Sequence, residues 1–232
     1  MDRRQRPNYG IDAPNVVLTF LLIGMLGVGL SFWLRFLRIP GAIFLLESLV
    51  MVWGSRAGKF RVRDKLLNSI SWQGNEKVLD VGCGHGLMLI GAAKRLREGK
   101  AVGIDLWQKE DQAGNSREAT LLNVRLENVA DRVELVDGDA RKLPFDDNAF
   151  DVVVSSWVLH NIYDRAGRDD AVRGIARVLK PGGRVLIIDI RHTGEYAEVL
   201  RQSNMSEIHR TGPNFLFLIP SFTLTARKPV VP

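Results

Sequence analysis

Short apolar segments alternate with helical patterns between residues 77 and 190. The apolar segments are rich in Val, Leu and Ile, as expected of strands that are buried on both faces of a parallel sheet. The predicted strands are 77–81, 101–105, 132–136, 150–155 and 184–190, and the predicted helices are 87–97, 115–129 and 168–179. The alternation predicts an α/β fold with a doubly wound, mostly parallel sheet and helices on both of its faces.

A long apolar segment precedes this region. Val16–Leu34 holds 19 residues without a charge, close to the roughly 20 that cross a bilayer as a helix. Bulky residues follow where a signal peptide would carry a small-residue cleavage site, so the pattern predicts an uncleaved transmembrane helix over about 16–38. The next apolar segment, 41–53, is short for a second span and can be re-entrant, interfacial or the return arm of a hairpin. We therefore expect a membrane anchor over 1–55 and a separate domain over 56–232.

Two further patterns in the N-terminal part each allow two interpretations. Gly24, Gly27 and Gly29 either permit close helix packing in lipid or reflect how common glycine is in membrane helices. The segment 56–71 is amphipathic, so it either lies along the membrane surface or covers a ligand site.

The net charge of +6 comes entirely from the N-terminal part. Residues 1–65 hold ten Lys/Arg and four Asp/Glu, whereas residues 66–232 hold 22 of each. The neutral stretch 66–232 argues against nucleic-acid binding, which depends on clustered Lys and Arg. By the positive-inside rule, the basic residues place the domain in the cytoplasm for a single span and for a hairpin alike. The lone Cys83 cannot form an intrachain disulfide, which fits a protein at the cell membrane whose domain faces the reducing cytoplasm.

A glycine-rich turn follows the first predicted strand, with the spacing Asp80-x-Gly82-x-Gly84-x-Gly86. Because glycine has no Cβ, a backbone of this kind can approach a nucleotide-like ligand closely. The spacing differs from the G-x-G-x-x-G of dinucleotide-binding loops. An acid at the end of the strand suits a cationic ligand better than a diphosphate, and we therefore predict S-adenosylmethionine as the cofactor.

This stretch resembles motif I of the class I S-adenosylmethionine-dependent methyltransferases. Further landmarks of that family follow in order, namely Asp139-Ala140 after a strand, Phe150–Ser155, and the turn Lys180-Pro181-Gly182-Gly183. The resemblance covers about 77–190 and implies a Rossmann-like, seven-stranded sheet. It also implies a last antiparallel pair of strands, for which 207–210 and 215–227 are the candidates.

The resemblance implies a cofactor site at the ends of the first strands. Asp105 ends the second strand and is expected to accept hydrogen bonds from both ribose hydroxyls, with the N-cap of the next helix as the alternative. Asp139 is expected at the adenine amine and the Ala140 amide on the ring, while Trp107 either stacks on the adenine or only packs. The expected cofactor-binding residues are Asp80, Gly82, Cys83, Gly84, Gly86, Asp105, Leu106, Trp107, Gly138, Asp139, Ala140 and Ser155, and no residue is assigned to a metal.

Methyl transfer from a sulfonium requires mainly that the acceptor be aligned and that water be excluded. A hydroxyl, thiol or carbon-acid acceptor also needs a base, and histidine serves this purpose near neutral pH. His160 follows the fourth strand and ranks first, with a structural histidine as its alternative, and His192, beyond the fifth strand, ranks second. His85 is expected to be a loop residue, His209 to lie on a late strand, and Tyr163 and Asp164 either to line the acceptor mouth or to be exposed.

Motifs that the sequence lacks exclude several classes of methyl acceptor. Ser155-Ser156-Trp157 stands where methyltransferases of DNA bases and protein amides have Asn/Asp-Pro-Pro-Tyr/Phe, and a single cysteine excludes the thiol cluster expected for arsenite methylation. The stretch looks most like the group that includes ubiquinone/menaquinone C-methyltransferases and phospholipid N-methyltransferases. The resemblance therefore implies a small-molecule or lipid acceptor, with a soluble acceptor or a non-catalytic membrane sensor or assembly module as alternatives. A homodimer is one option for the oligomeric state.

Overall fold

A seven-stranded sheet forms the centre of the protein in the computed structural model, which describes residues 6–108, 114–215 and 220–230. The strands are β1 (Lys77–Val81), β2 (Lys100–Asp105), β3 (Val133–Asp137), β4 (Phe150–Ser156), β5 (Leu179–Asp189), β6 (Ser206–Asn214) and β7 (Ser221–Arg227). Their order in the sheet is β3-β2-β1-β4-β5-β7-β6. β1 to β5 run parallel, β7 is antiparallel to β5, and β6 is antiparallel to β7. The predicted α/β fold with a mostly parallel, seven-stranded sheet is confirmed, including its last antiparallel pair.

The α-helices of the described residues are α1 (Pro14–Leu30), α2 (Arg38–Trp53), α3 (Lys59–Leu67), α4 (Leu87–Ala93), α5 (Arg117–Leu126), α6 (Arg165–Val178) and α7 (Thr193–Gln202). The last five, α3 to α7, cover both faces of the sheet. Successive residues of β1 point to opposite faces. Val78 joins the apolar core shared with α3, α4 and α5, whereas Leu79 joins the core shared with α6 and α7. β1 is therefore buried on both faces, as its continuous apolar run predicts.

The C-terminal part differs most from the sequence prediction. α7 was not predicted, because its N-cap position is occupied by His192, which is not one of the residue types that usually cap a helix. β5 begins at Leu179 and not at residue 184, since Leu179 already pairs with Phe150 of β4. Of the strand expected over 215–227, residues 216–219 lie outside the described residues and the strand is observed from Ser221.

α1 and α2 pack against each other as a helical hairpin. The single helix expected over about 16–38 is divided, because α1 ends at Leu30 and the next helical segment begins at Arg35. Pro40 lies in the first turn of α2, where a proline ring is tolerated. The segment 41–53 is thus the return arm of a hairpin.

Glycines face each other where the two arms come close. A Cβ on Gly41 would lie 2.7 Å from the backbone nitrogen of Val28, and a Cβ on Gly27 would lie 3.0 Å from the Cα of Gly41. Gly24 also faces α2, whereas the space around Gly29 is open. Gly24 and Gly27 therefore serve helix packing, and Gly29 does not.

One helix among the described residues is long and apolar enough to cross a membrane. It runs from Arg35 to Leu67 and includes a π-helical turn at Gly54–Gly58, while α1 is apolar but shorter. The turn between the two arms exposes large apolar side chains, with Phe32 85% and Trp33 80% accessible. The membrane anchor over 1–55 stays a prediction.

Candidate active site

A cavity of about 740 Å³ lies at the carboxyl ends of the parallel strands. The strand order reverses there, between β1 and β4, and open α/β sheets bind their ligands at such a point. Its volume is in the range of small-molecule sites. The cavity is lined by Gly82–His85 after β1, by Asp105 and Leu106 after β2, by Gly138–Arg141 after β3, and by most of Ser156–Asp164 after β4.

The glycine-rich turn needs glycine for its backbone conformation. Gly82, Gly84 and Gly86 have φ angles of +72°, +47° and +84°, which residues with a side chain rarely adopt. A Cβ on Gly82 would also overlap the side chain of Val158. Gly82 and Gly84 line the cavity with bare backbone, while Gly86 precedes α4. Cys83 is buried between them, and burial raises the pKa of its thiol well above the ordinary value, so the thiol stays neutral.

Asp80 is buried beneath this turn and lines the cavity. Its Oδ2 accepts a hydrogen bond from the backbone nitrogen of Leu89 in α4 at 2.8 Å. Burial raises the pKa of Asp80 to about 8; the bond from Leu89 lowers the pKa, and the charge of Asp105 adds to the rise. A positive ligand charge would stabilise the ionised form of such a carboxyl. Asp80 therefore suits a cationic group, as the sequence predicts.

Asp105 connects the glycine-rich turn to the end of β2. Its Oδ2 accepts from the Gly84 backbone nitrogen at 2.8 Å, and its Oδ1 accepts from the Trp107 backbone nitrogen at 2.6 Å. The next described helix, α5, has Ser116 as its N-cap, so the alternative role of Asp105 as an N-cap is not realised. A carboxylate that is fixed in this way and lines the cavity fits the predicted contact with a ribose.

Asn115 is a cavity residue that sequence reasoning missed. It is buried, and its side-chain amide donates to Asp105 Oδ1 at 3.2 Å. Within the described part of the chain, no group donates to its own buried Oδ1. Because an unpaired buried oxygen costs free energy, a hydroxyl or amine of a bound ligand would fit at this atom. Asn115 follows no strand and belongs to no glycine motif, so the sequence carries no local signal for it.

The residues after β3 form the next wall of the cavity. Gly138, Asp139 and Ala140 line it, as does Leu106 from the loop after β2. The Asp139 carboxylate pairs with the Arg141 guanidinium at 2.6 Å, and hydrogen bonds from Arg141 lower the pKa of Asp139. Asp139 is therefore an ionised acceptor, as the predicted contact with an adenine amine requires. Arg141 also lines the cavity and was not predicted.

Three predicted cofactor residues do not line the cavity: Gly86, which precedes α4, and the residues Trp107 and Ser155. The Trp107 indole donates to Asp137 Oδ1 at 2.7 Å and packs against the core shared with α3, α4 and α5, so Trp107 fulfils the packing alternative. Ser155 is fully buried, and its hydroxyl donates to the Val81 carbonyl at 2.9 Å, which joins β4 to β1. Since side chains alternate along a strand, the next residue, Ser156, lines the cavity instead.

His160 and Asp189 form a hydrogen-bonded pair at the cavity. His160 lines the cavity, and its Nδ1 lies 2.5 Å from Asp189 Oδ1. Asp189 is fully buried at the end of β5, where it also accepts from the backbone nitrogen of Ile190 at 2.8 Å and from the Tyr196 hydroxyl at 3.3 Å. A carboxylate only accepts, so Nδ1 of His160 donates to it and Nε2 is the basic nitrogen. This arrangement can take a proton from an acceptor.

The structure does not support His192 as a base. Its Nδ1 lies 3.1 Å from Glu195 Oε1, and Glu195 also pairs with Arg168 at 3.2 Å. His192 lies beyond the end of β5 at the start of α7 and does not line the cavity. The other two histidines lie where they were expected, His85 in the glycine-rich turn and His209 on β6.

Residues 8–13, which we call the N-terminal strap, close one side of the cavity. Lys59 of α3 is buried, and its Nζ donates to the carbonyls of Tyr9 and Gly10 at 2.7 and 2.8 Å and to Asp12 at 3.3 Å. Burial lowers the pKa of Lys59, and the charge of Asp12 opposes this shift. Both the strap and α3 line the cavity. The amphipathic segment 56–71 therefore covers the ligand site, the second of its two predicted roles.

Apolar side chains flank the His160–Asp189 pair. Val158, Ile162, Ile188 and Ile190 all line the cavity. Tyr163 and Asp164 lie at the rim, and Tyr163 is 99% accessible although it lines the same cavity. Tyr163 and Asp164 thus border the cavity, as one alternative expects, and Tyr163 is exposed, as the other expects.

Residues 79–187 match the sequence model of a family described as "Methyltransferase domain". The ubiquinone/menaquinone biosynthesis C-methyltransferase of Idiomarina loihiensis is 38% identical over 114 residues, which cover 49% of this chain and 42% of that protein. The chloroplastic 2-phytyl-1,4-beta-naphthoquinone methyltransferase of Arabidopsis thaliana is 33% identical over 141 residues, which cover 59% of this chain and 51% of that protein. The chain thus spans about half the length of these relatives.

Solved structures share the fold at lower identity. Phosphoethanolamine N-methyltransferase 2 of Haemonchus contortus, in complex with S-adenosyl-L-methionine, has a TM-score of 0.60 at 19% identity, over 73% of this chain and 52% of that one. The [4+2]-cyclase SpnF has a TM-score of 0.60 at 23% identity, over 76% of this chain and 83% of that one. Likeness at these identities shows the fold alone, and a fold by itself does not fix a reaction.

The matched stretch contains the glycine-rich turn, Asp80, Asp105 and Asp139, and it ends within β5 of the sheet. The family match therefore covers the same stretch that the sequence pattern and the fold point to. The predicted cofactor, S-adenosylmethionine, and the predicted enzyme class, a methyltransferase, are confirmed at the level of the matched stretch, residues 79–187.

Proposed function

We propose that the whole protein is a membrane-anchored, S-adenosylmethionine-dependent methyltransferase that acts on a lipophilic small molecule. The observation that carries this proposal is one cavity that is lined both by the glycine-rich turn and by His160, which is paired with buried Asp189. Methyl transfer to a protonated acceptor requires a cofactor site and a base side by side. The relatives named for quinone biosynthesis make a hydroquinone the first acceptor class to test.

The residues of the cavity fit this cofactor. When bound, S-adenosylmethionine supplies a methyl group that its sulfonium activates for transfer. The bare backbone of Gly82 and Gly84 admits a closely packed ligand, and Asp80 offers a buried carboxyl to its positive charge. Asp105 and the unpaired Oδ1 of Asn115 offer acceptors to the ribose hydroxyls.

His160 acts as the base in this proposal. Its Nε2 takes the proton of an acceptor hydroxyl, and Asp189 stabilises the imidazolium that forms. The electrons left on the oxygen make this oxygen, or a ring carbon conjugated with it, nucleophilic. S-adenosylmethionine held at the glycine-rich turn would supply the methyl group to this nucleophile, and S-adenosylhomocysteine would leave. If a ring carbon is methylated, that carbon afterwards loses its own proton. The strap and α3 exclude water from the cavity during these steps.

The hairpin is the proposed membrane anchor. Its exposed apolar side chains include Leu18, Leu22, Leu26, Leu46 and Leu49, and soluble monomers rarely expose an apolar patch of this extent. The arms hold 17 and 16 residues, so each is about 25 Å long, slightly less than the roughly 30 Å of a hydrocarbon core. Both arms return to the domain, which the charge distribution places in the cytoplasm.

The test is to incubate purified full-length protein with methyl-labelled cofactor and separate lipid and aqueous extracts of its host. Label in the lipid extract supports the proposal, and label only in the aqueous extract rejects the lipophilic acceptor. Cofactor binding in a calorimeter without label in either extract favours a sensor. Membrane fractions washed at alkaline pH should retain the full-length protein, and a protein found in the soluble fraction would rule out the anchor.

A further inference from the structure

The cavity extends from His160 to the root of the hairpin. Its lining includes residues 12–16, which end the strap and form the first turn of α1. Val16 lines the cavity and is still 41% accessible, and Asn15 is also exposed. A residue that lines a cavity and is also accessible from outside the protein lies at an opening of that cavity. We call residues 13–16 the hairpin mouth.

The hairpin mouth has a fixed position relative to the catalytic pair. The Asp12 backbone nitrogen donates to the Ser55 hydroxyl at 3.0 Å, and the Ser48 hydroxyl donates to the Val17 carbonyl at 3.3 Å, so the roots of the two arms are joined. Buried Lys59 fixes the strap to α3. Buried charged hydrogen bonds are costly to break. The depth of the hairpin in a membrane therefore sets the depth of the mouth.

Apolar residues lie on both sides of this mouth. Leu18 and Leu22 are exposed on the outside, along α1. Ile11 and Leu66 line the cavity on the inside. Because α1 begins at Pro14, a hairpin inserted along its apolar length places the mouth at the surface of the bilayer.

We propose that the acceptor enters from the bilayer through the hairpin mouth, so that its reactive ring reaches His160 while an apolar tail stays in lipid beside α1. This inference rests on the proposed function. It adds that the acceptor comes from the lipid bilayer and not from the aqueous phase. The acceptor class is a membrane-dissolved molecule with an apolar tail. Such a molecule reaches the cavity without passing through water, where its tail would be poorly solvated.

The test uses full-length protein in phosphatidylcholine and phosphatidylglycerol vesicles that contain a benzophenone with a long alkyl chain. Photolysis followed by mass spectrometry maps the residues that are labelled. We expect labels at the hairpin mouth, on the exposed face of α1, and at Ile162 inside the cavity. Val16→Trp narrows the mouth and should remove the label at Ile162 while the labels on α1 persist. Leu18→Trp and Val16→Ala are matched controls and should keep all three.

Labels on α1 in Val16→Trp show that this variant is folded and inserted in the membrane. Loss of the label at Ile162 in this variant then shows that the hairpin mouth is blocked. The proposal is overturned if the alkyl benzophenone labels α1 but not Ile162, while the same benzophenone without a chain labels Ile162 from water. It is also overturned if Leu18→Trp loses the label at Ile162 as fully as Val16→Trp does. Labelling at Ile162 with no methylation of any lipid extract would support the entry route and reject the proposed activity.

Discussion

The sheet and the hairpin are built for different surroundings. In β1, Val78, Leu79 and Val81 are fully buried, whereas Leu26 and Leu46 of the hairpin are 63% and 61% accessible. The apolar residues of the sheet are covered by helices of the same chain. The hairpin arms cover each other only along the glycine-lined side. The sheet region is therefore stabilised by burial of its apolar side chains within the protein. The apolar side chains of the hairpin would be stabilised by an apolar environment outside the protein.

α3 joins the two regions. Leu67 belongs to the core of the sheet, Lys59 fixes the strap, and the helix is continuous with α2. The site thus depends on both regions in different ways. Changes at the edge of the sheet should alter cofactor binding or turnover and leave membrane association unchanged. Changes in the hairpin should alter membrane association or the turnover of a membrane acceptor and leave cofactor binding unchanged.

The largest effect is expected at the catalytic pair. His160→Gln removes the basic nitrogen and should lower kcat by about 100- to 10,000-fold, while cofactor affinity and the membrane-bound fraction stay the same. Turnover of a lipid acceptor, calorimetry and fractionation measure these three quantities. His192→Gln is the control, because His192 bonds to Glu195 away from the cavity. If both variants lose turnover equally, His160 has no special role as a base.

The second-largest effect is expected from a glycine substitution in the sheet region, compared with one in the hairpin. Gly82→Ala forces a side chain into a positive φ and against Val158. Such strain is worth about 1–3 kcal/mol, so cofactor affinity should fall by about 5- to 150-fold. Gly29→Ala is its control in the hairpin, where the added Cβ meets open space. Calorimetry should show unchanged affinity for Gly29→Ala, and equal losses in both variants would contradict a local role of the turn.

These glycines also show which features a sequence can predict. The turn at Gly82–Gly86 and the strand that leads to it depend on local backbone freedom and on local apolar periodicity. Both are visible in a short stretch of sequence, and both were predicted. The hairpin was foreseen only as one of several options, since Pro40 and the apolar segments allow more than one packing.

Side-chain partners from distant parts of the chain could not be predicted in this way. Asn115 is held at the cavity by its hydrogen bond to Asp105, and the N-terminal strap is held there by its hydrogen bonds from Lys59. Ser155 differs from Ser156 only in the face of the strand on which it lies. These features depend on tertiary contacts and register. The sequence therefore located the edge of the sheet at which the site lies, but not every residue that faces the cavity.

The pH dependence of cofactor binding tests the sheet region further. With a pKa of about 8, Asp80 of the free protein is mostly protonated at neutral pH, and a cationic ligand binds the ionised form better. Affinity should therefore rise with pH, by up to about tenfold per unit, until the pH passes the pKa and the rise levels off. Asp80→Asn should give a weaker but flatter profile in calorimetry. The same slope in both proteins would assign the titration to another group.

The smallest effect is expected in the hairpin. Gly41→Leu places a side chain against the backbone of Val28, and overpacking of this kind costs about 1–3 kcal/mol. The arms should separate, as distances between spin labels on α1 and α2 would show, and turnover of a membrane acceptor should fall a few-fold. Gly29→Leu is the control because its surroundings are open. Cofactor affinity should stay unchanged in both variants.

A loss of cofactor affinity in Gly41→Leu alone would change the comparison between the two regions. The arms meet the domain through the turn at Gly54–Gly58, which leads directly into α3 and Lys59. A strained hairpin could then displace α3 from the cavity. The hairpin would control the cofactor site as well as the supply of acceptor, and the sheet and the hairpin would no longer be independent regions.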